Sequence, residues 1–143
     1  MRNTFYYDTQ IGRIGIVQNG SSITHVRFGE IHELDINIIE TPLLKKAYGQ
    51  IQEYLNGKRK VFDLPLAPQG TDFQQRVWKA LQEIPYGKTN SYKDIASNIG
   101  NVNAARAVGK ANNKNPILLI IPCHRVIGAN GKLVGYVGGL DVK

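Results

Sequence analysis

The stretch Asn115-Pro-Ile-Leu-Leu-Ile-Ile-Pro-Cys-His-Arg-Val126 carries the single cysteine of the chain at the end of its most apolar run. Asn115-Pro116 stops the helix before it, because proline lacks an amide hydrogen and restricts its predecessor. Ile117–Ile121 are all apolar and predict a fully buried strand. Such a strand delivers Pro122-Cys123-His124 at its end, where rigid backbone can hold a reacting group. A lone cysteine is often no more than a small buried hydrophobe. Here Pro122 fixes the approach, His124 can take a proton and Arg125 adds positive charge, surroundings that favour a nucleophilic thiolate. Adjacency in sequence allows a Cys-His pair, direct or through a water, without establishing one.

Upstream, the spacing predicts a helix from about Asn103 to Lys114. Ala104, Ala105, Ala107, Gly109 and Ala111 give it little bulk, while Arg106, Lys110 and Lys114 recur every four residues and so lie along one side. A thin helix of this kind either packs tightly in a core or approaches a nucleic-acid backbone closely. The three cations, costly to bury unpaired, weigh toward the second. Its early turns lack Asn or Gln to read bases bidentately, so it is expected to grip structure more than sequence. Before it, Ser91 and Asp94 suggest a cap for a short helix with Ile95, Ala96 and Ile99, ended by Gly100; two short helices around a glycine turn form a helix-turn-helix pattern. Earlier still, Thr71 and Gln74 form a capping box for a helix whose face is Phe73, Val77, Leu81 and Ile84 and which stops at Pro85-Tyr86-Gly87. Trp78 lies off that face and is expected to pack in the core.

Leu64-Pro-Leu-Ala-Pro-Gln-Gly70 has the composition of a connector, dividing a lobe at residues 1–66 from one at 70–143. In the first, Asn3–Asp8, Arg13–Gln18 and Ser22–Phe28 are aromatic and β-branched segments separated by Gly12 and Asn19-Gly20, which predicts an antiparallel meander. Thr41-Pro42 then caps a helix carrying Leu43, Leu44, Ala47, Ile51, Tyr54 and Leu55 up to Gly57. No catalytic constellation falls in this lobe; His25 and His32 read as structural or surface residues, and the lobe as support.

The 143 residues, 42% of them hydrophobic, suit one compact domain or two small lobes. One cysteine forms no internal disulfide, and His25, His32 and His124 have no metal-ligand spacing with it, so neither a staple nor a zinc site is expected. No apolar run approaches the roughly 20 residues of a membrane span, and Met1-Arg-Asn-Thr-Phe-Tyr-Tyr7 lacks a signal peptide's apolar core, which points to the cytoplasm. Of the formal charge of +7, residues 1–70 hold eight Lys or Arg against seven Asp or Glu, and residues 71–143 hold ten against four. The excess is therefore in the second half. Such a basic face can be plain solvated surface; joined to the helical pattern, it favours a polyanionic partner.

Pro-Cys-His-Arg-Val at 122–126, preceded by Asn115-Pro116 and by Ala-Ala-Arg-Ala-Val-Gly at 104–109, with Ser91-Tyr92 upstream and Gly135-Tyr136 to Gly138-Gly139 downstream, resembles the O6-alkylguanine-DNA alkyltransferases, or methylated-DNA–protein-cysteine methyltransferases. The resemblance is close over residues 70–143 and one of general layout before them. It implies an α+β fold, a ribonuclease-H-like N-terminal lobe beside a winged-helix-like C-terminal lobe that enters the minor groove of double-stranded DNA. It further implies irreversible transfer of an alkyl group from O6 of a flipped guanine to Cys123, once per molecule, by a monomer without a cofactor. His124 would act as base through a water. Tyr92 would crowd the phosphate of the rotating nucleotide and later donate to the leaving guanine, and Arg106 would fill the vacated stack. Ser91, Ala105, Lys110 and Arg125 would contact DNA. The carbonyls of Cys123 and Val126 would accept from the guanine amino group, Tyr136 would line a wall, and the amide of Val137, beside Gly138, would face O6. Many relatives carry serine at the position of Val137, so their hydroxyl contact is missing here. Asn115 would tie the DNA-binding helix to the active-site segment, its plainer alternative being a local helix cap.

One departure is visible. The family places a glutamate that orients the histidine on a helix beyond the glycine-rich segment, and this sequence ends at Leu140-Asp-Val-Lys143, before that helix. Asp141, the nearby carboxylate, is not assigned that role. A version extended by the helix is expected to react faster with an O6-methylguanine duplex, and equal single-turnover rates for the two chains would refute this. The rival reading is a protein that binds alkylated DNA without transfer, either alkyltransferase-like or a plain helix-turn-helix module with an inert Cys123.

Overall fold

A computed structural model describes residues 2–29 and 36–127. Its contacts divide the chain into two units, one running to Pro68 and including Pro116–Leu118, the other formed by Gln69–Asn115 and the chain from Leu119. The fold is α+β, with the sheet in the first unit and most of the helix in the second.

In the first unit, β1 (Arg2–Thr9), β2 (Gly12–Asn19) and β3 (Ser22–Phe28) form the expected antiparallel meander. Gly12 and Gly20 take positive φ at the two turns, +117° and +64°, where a side chain would be strained. A fourth strand, β4 (Ile36–Ile38), adds in parallel to β1 and gives the order β3-β2-β1-β4. The sequence showed only a polar stretch there, since three residues are too few to display an alternation. Helix α1 (Pro42–Leu55) begins as predicted: the Thr41 hydroxyl accepts from the Leu44 amide at 3.1 Å and Pro42 occupies the first turn. Its buried stripe, Leu44, Ala47 and Ile51, shares a core with Ile14, Ile16, Ile23 and Val26. Burial of each large side chain contributes about 1.5–3 kcal/mol, enough in sum to hold a short helix that would be marginal alone. His25 Nδ1 lies 2.8 Å from the Thr24 hydroxyl, a local role within the sheet, while His32 falls outside the described residues.

The second unit comprises α2 (Asp72–Gln82), β5 (Asn90–Ser91), α3 (Tyr92–Asn98), α4 (Ala105–Asn113), a single 3-10 turn (Cys123–Arg125) and β6 (Val126–Ile127). Both predicted capping boxes are present, Thr71 with Gln74 and Ser91 with Asp94. Gly100, at φ +82°, ends α3. Trp78 is 1% exposed and donates from Nε1 to the Ala111 carbonyl at 2.9 Å, fastening α2 to α4. Its ring fills the space above Gly70, where an added Cβ would stand 2.5 Å from Cη2 and 2.6 Å from Gln74 Oε1, the atom that accepts from the Thr71 amide. Gly70→Ala must displace both a buried indole and half of a capping box. A loss of about 1–3 kcal/mol is expected, read as a lower urea midpoint at unchanged slope; an unchanged midpoint would contradict this packing.

Residues 117–121 correct the sequence reading. Ile117 forms one isolated parallel bridge with Val26, and the chain then turns, with Leu119 in the left-handed region at φ +68°. The run is apolar because Leu118, Leu119, Ile120 and Ile121 are all buried, not because they pair in a ladder. An apolar run alone does not distinguish a buried strand from a buried turn. The third helix also starts later than expected, at Ala105, without a side-chain cap at Ala104.

Candidate active site

Consecutive tight turns, rather than a strand, present Cys123. Pro122, at φ −82° and ψ 67°, forms an inverse γ-turn in which the Cys123 amide donates to the Ile121 carbonyl at 2.8 Å. The Arg125 amide then donates to the Pro122 carbonyl at 3.0 Å, and the Val126 amide to the Cys123 carbonyl. Asn115, 6% exposed, reaches across this segment and donates from Nδ2 to the Ile121 carbonyl at 2.7 Å. The end of α4 is thereby tied, through the Asn115 side chain, to the residue two before the cysteine.

The turn is fastened next to α3 by a two-residue parallel ladder in which Asn90 pairs with Val126 and Ser91 with Ile127. Ser91 also caps α3: its hydroxyl accepts from the Asp94 amide at 3.1 Å, and its amide donates to Asp94 at 2.9 Å. Because Tyr92 opens the helix that Ser91 caps, the ladder brings its phenol to the cysteine turn. Tyr92 is half-buried, and its pKa is raised above the ordinary 10.0, first by burial and then by the negative charge of Cys123, while the Asn112 amide draws it down. Tyr92 therefore stays protonated at neutral pH, as a hydrogen-bond donor within electrostatic reach of the sulfur.

Cys123 is 0% exposed and Val126 is buried with it, while His124 and Arg125 are half-buried. Arg125 donates from Nη1 to the Ile84 carbonyl at 2.8 Å and lies over the Tyr86 ring at 5.6 Å. These contacts hold it against the end of α2. Tyr136, Val137 and Gly138 lie outside the described residues. Among the described residues, no three His, Cys, Asp or Glu side chains gather as a metal site, and no helix is long and apolar enough to cross a membrane.

The outer side of α4 is basic, as the spacing predicted: Arg106, Lys110 and Lys114 are exposed, with Ala107 between them, while Ala105 is half-buried. Arg76, Lys79, Lys88 and Lys93 are exposed on the same unit. The inner side of α4 holds Ala104, Val108, Ala111 and, unexpectedly, Asn112. Asn112 is 0% exposed, and neither its Oδ1 nor its Nδ2 has a hydrogen-bond partner among the described residues. Its amide is close enough to the Tyr92 phenol to affect that group's acidity, yet outside hydrogen-bond geometry. An unsatisfied buried amide costs about 1–3 kcal/mol. The sequence does carry a signal for it, a polar residue in phase with the buried stripe 104, 108 and 111.

Fold and site define a class: an α+β protein that sets a thiol in tight turns beside a helix-turn-helix with an exposed basic helix. Comparison with known proteins narrows it. The family profile described as "6-O-methylguanine DNA methyltransferase, DNA binding domain" matches residues 72–143, and its "ribonuclease-like domain" counterpart matches residues 2–68. The chain belongs to this family. A methylated-DNA–protein-cysteine methyltransferase of Methanosarcina acetivorans is 48% identical over 141 residues, covering 96% of this chain and 90% of the relative. Another, of Methanosarcina barkeri, is 52% identical over 145 residues, with 96% and 92% covered. Among solved structures, Mycobacterium tuberculosis OGT in complex with DNA superposes with a TM-score of 0.89 at 47% identity, covering 96% of this chain and 85% of that one.

Proposed function

We propose that this protein repairs double-stranded DNA by taking the alkyl group from O6 of a guanine onto Cys123, once per molecule and without a cofactor. The observation that carries the reading is a fully buried sulfur, held by tight turns, with a protonated phenol beside it. A base stacked in a duplex cannot reach a thiol of zero exposure. The target nucleotide must therefore leave the stack, at a cost of a few kcal/mol that is lower where alkylation has weakened pairing. The exposed basic side of α4 holds the backbone, with Arg106 filling the gap and Ser91, Ala105, Lys110 and Arg125 along the contact.

The chemistry follows from the groups at hand. A water relayed to His124 takes the thiol proton, the S–C bond forms as the C–O6 bond breaks, and the departing guanine gains one proton. The net exchange is the thiol hydrogen for the alkyl group. Tyr92 donates a hydrogen bond to the guanine while negative charge develops on it, the moment at which a donor lowers the barrier. The guanine amino group donates to the carbonyls of Cys123 and Val126, with Tyr136, Val137 and Gly138 completing the pocket. A thioether carbon has no good leaving group, which makes the reaction terminal. The setting is the cytoplasm, the acting unit a monomer, and the lobes 1–66 and 70–143 divide support from chemistry.

Mass spectrometry of the chain after incubation with an O6-methylguanine duplex tests this. One methyl group per molecule is expected, in the tryptic peptide Asn115–Arg125. Stable binding without a mass change would instead support the reading of a lesion-binding protein.

A further inference from the structure

We propose that Asn112 is a positioning residue for the transfer, its carboxamide donating to the Tyr92 oxygen in the substrate complex so that the phenol's own hydrogen is directed at the departing guanine. The inference rests on the role given to Tyr92 and extends it to a residue with no other evident task.

Three observations carry it. Asn112 is wholly buried, and both polar atoms of its side chain lack a hydrogen-bond partner among the described residues. It occupies a stripe otherwise filled by Ala104, Val108 and Ala111, where an apolar side chain would cost less. An unsatisfied amide in such a place calls for an explanation other than packing. Its location supplies one. Gly109 sits against the Tyr92 ring, a Cβ there standing 3.7 Å from Cε2 and 3.9 Å from Cδ2 and Cζ, the carbon that bears the hydroxyl. Residue 112 is three places further along α4 and so on the same face, beside that end of the ring.

The chemistry of the pair is directional. A phenol has one hydrogen to give and an oxygen that also accepts, whereas the amide offers two N–H donors and one acceptor. If Asn112 presented its carbonyl, it would draw the phenol's hydrogen toward α4 and away from the base. If it presents its NH2, that hydrogen must point elsewhere, and the bond accepted at oxygen polarises the O–H and strengthens it as a donor. The sign of the amide's effect on Tyr92, favouring the ionised form, is that of a donor facing the oxygen. Asn112 does not titrate, so it does this equally at every pH at which the protein is folded.

A double-mutant cycle decides the matter. Asn112→Leu keeps the approximate shape and removes the hydrogen bond, and single-turnover rates are read at saturating O6-methylguanine duplex. In the presence of Tyr92, a roughly tenfold slower transfer is expected, the worth of one directed hydrogen bond, with DNA affinity unchanged and a melting temperature equal or higher. In a Tyr92→Phe background the same substitution should change the rate by less than about twofold, because there is no hydroxyl left to position. Where leucine lowers the melting temperature, Asn112→Ala takes its place in the cycle with the same expectations. Equal slowing in both backgrounds, or none in the presence of Tyr92, overturns the role of Asn112 alone. A wild-type rate for Tyr92→Phe overturns the role of Tyr92 and this inference with it.

Discussion

Cys123→Ala is expected to abolish alkyl transfer completely while leaving binding to alkylated duplex intact. The substitution removes one sulfur from a site of zero exposure, and the Cys123 amide and carbonyl hold the turn from the main chain, which alanine retains. A small buried deletion of this kind costs about 1 kcal/mol, too little to unfold the unit. The exposed basic side of α4 is untouched. What disappears is the one thiol in the sequence. Cys123→Ser separates chemistry from packing, since a hydroxyl preserves the shape but is a far weaker nucleophile at neutral pH. Both variants should keep an unmodified Asn115–Arg125 peptide after prolonged exposure to O6-methylguanine duplex, measured by mass spectrometry, and should shift the duplex in a binding assay as the parent does. Methylation of either variant at another residue would remove Cys123 from the centre of the reaction.

How much of this was legible in the sequence depended on the range over which each signal acts. Thr71 with Gln74 and Ser91 with Asp94 were readable because a capping box is closed by residues three apart. The three-strand meander was readable because Gly12 and Asn19-Gly20 mark its turns within a few residues. The run at 117–121 was misread because its composition reports burial, whereas strand or turn is decided by whether a neighbouring strand lies alongside, and only Ile117 finds one. A left-handed leucine at position 119 leaves no trace in the sequence, since such positions are normally marked by glycine or asparagine.

The site divides along the same line. Cys123, His124 and the basic series 106, 110 and 114 announced themselves by type and spacing. The bond from Trp78 to the Ala111 carbonyl and that from Arg125 to the Ile84 carbonyl join residues 33 and 41 positions apart, and no local pattern encodes either. Asn112 is the instructive miss. Its helical phase matched the buried stripe, but an asparagine on a short polar helix resembles solvated surface until the fold shows what covers it. Its neighbour Tyr92 was visible only through the family motif, and the ladder from Asn90-Ser91 to Val126-Ile127 is what gives that motif a physical basis, joining two distant pieces of chain at the sulfur.

Arg106→Ala is expected to have the second largest effect, and the form of its deficit distinguishes an inserted side chain from a phosphate contact. Arg106 is exposed near the N-terminal end of α4, and Lys110 follows one turn later on the same side. A side chain that fills the gap left by an extruded base opposes collapse of the stack, so its loss should return a few kcal/mol of flipping cost to the duplex reaction. That corresponds to transfer slower by about tenfold to a hundredfold. On single-stranded oligonucleotide, where no stack need be opened, the same variant should react at nearly the parent rate. Lys110→Ala should behave in the opposite way: weaker binding to every duplex, and a salt dependence shallower by about 0.9 in log–log slope if one phosphate contact is lost, with little change in rate at saturation. Single-turnover rates on the two substrates, together with affinities across a salt series, measure both. If Arg106→Ala instead reduced the salt slope and slowed the two substrates equally, the arginine would be a backbone clamp, and the energy holding the base outside the helix would have to come from Tyr92 and the pocket around Cys123.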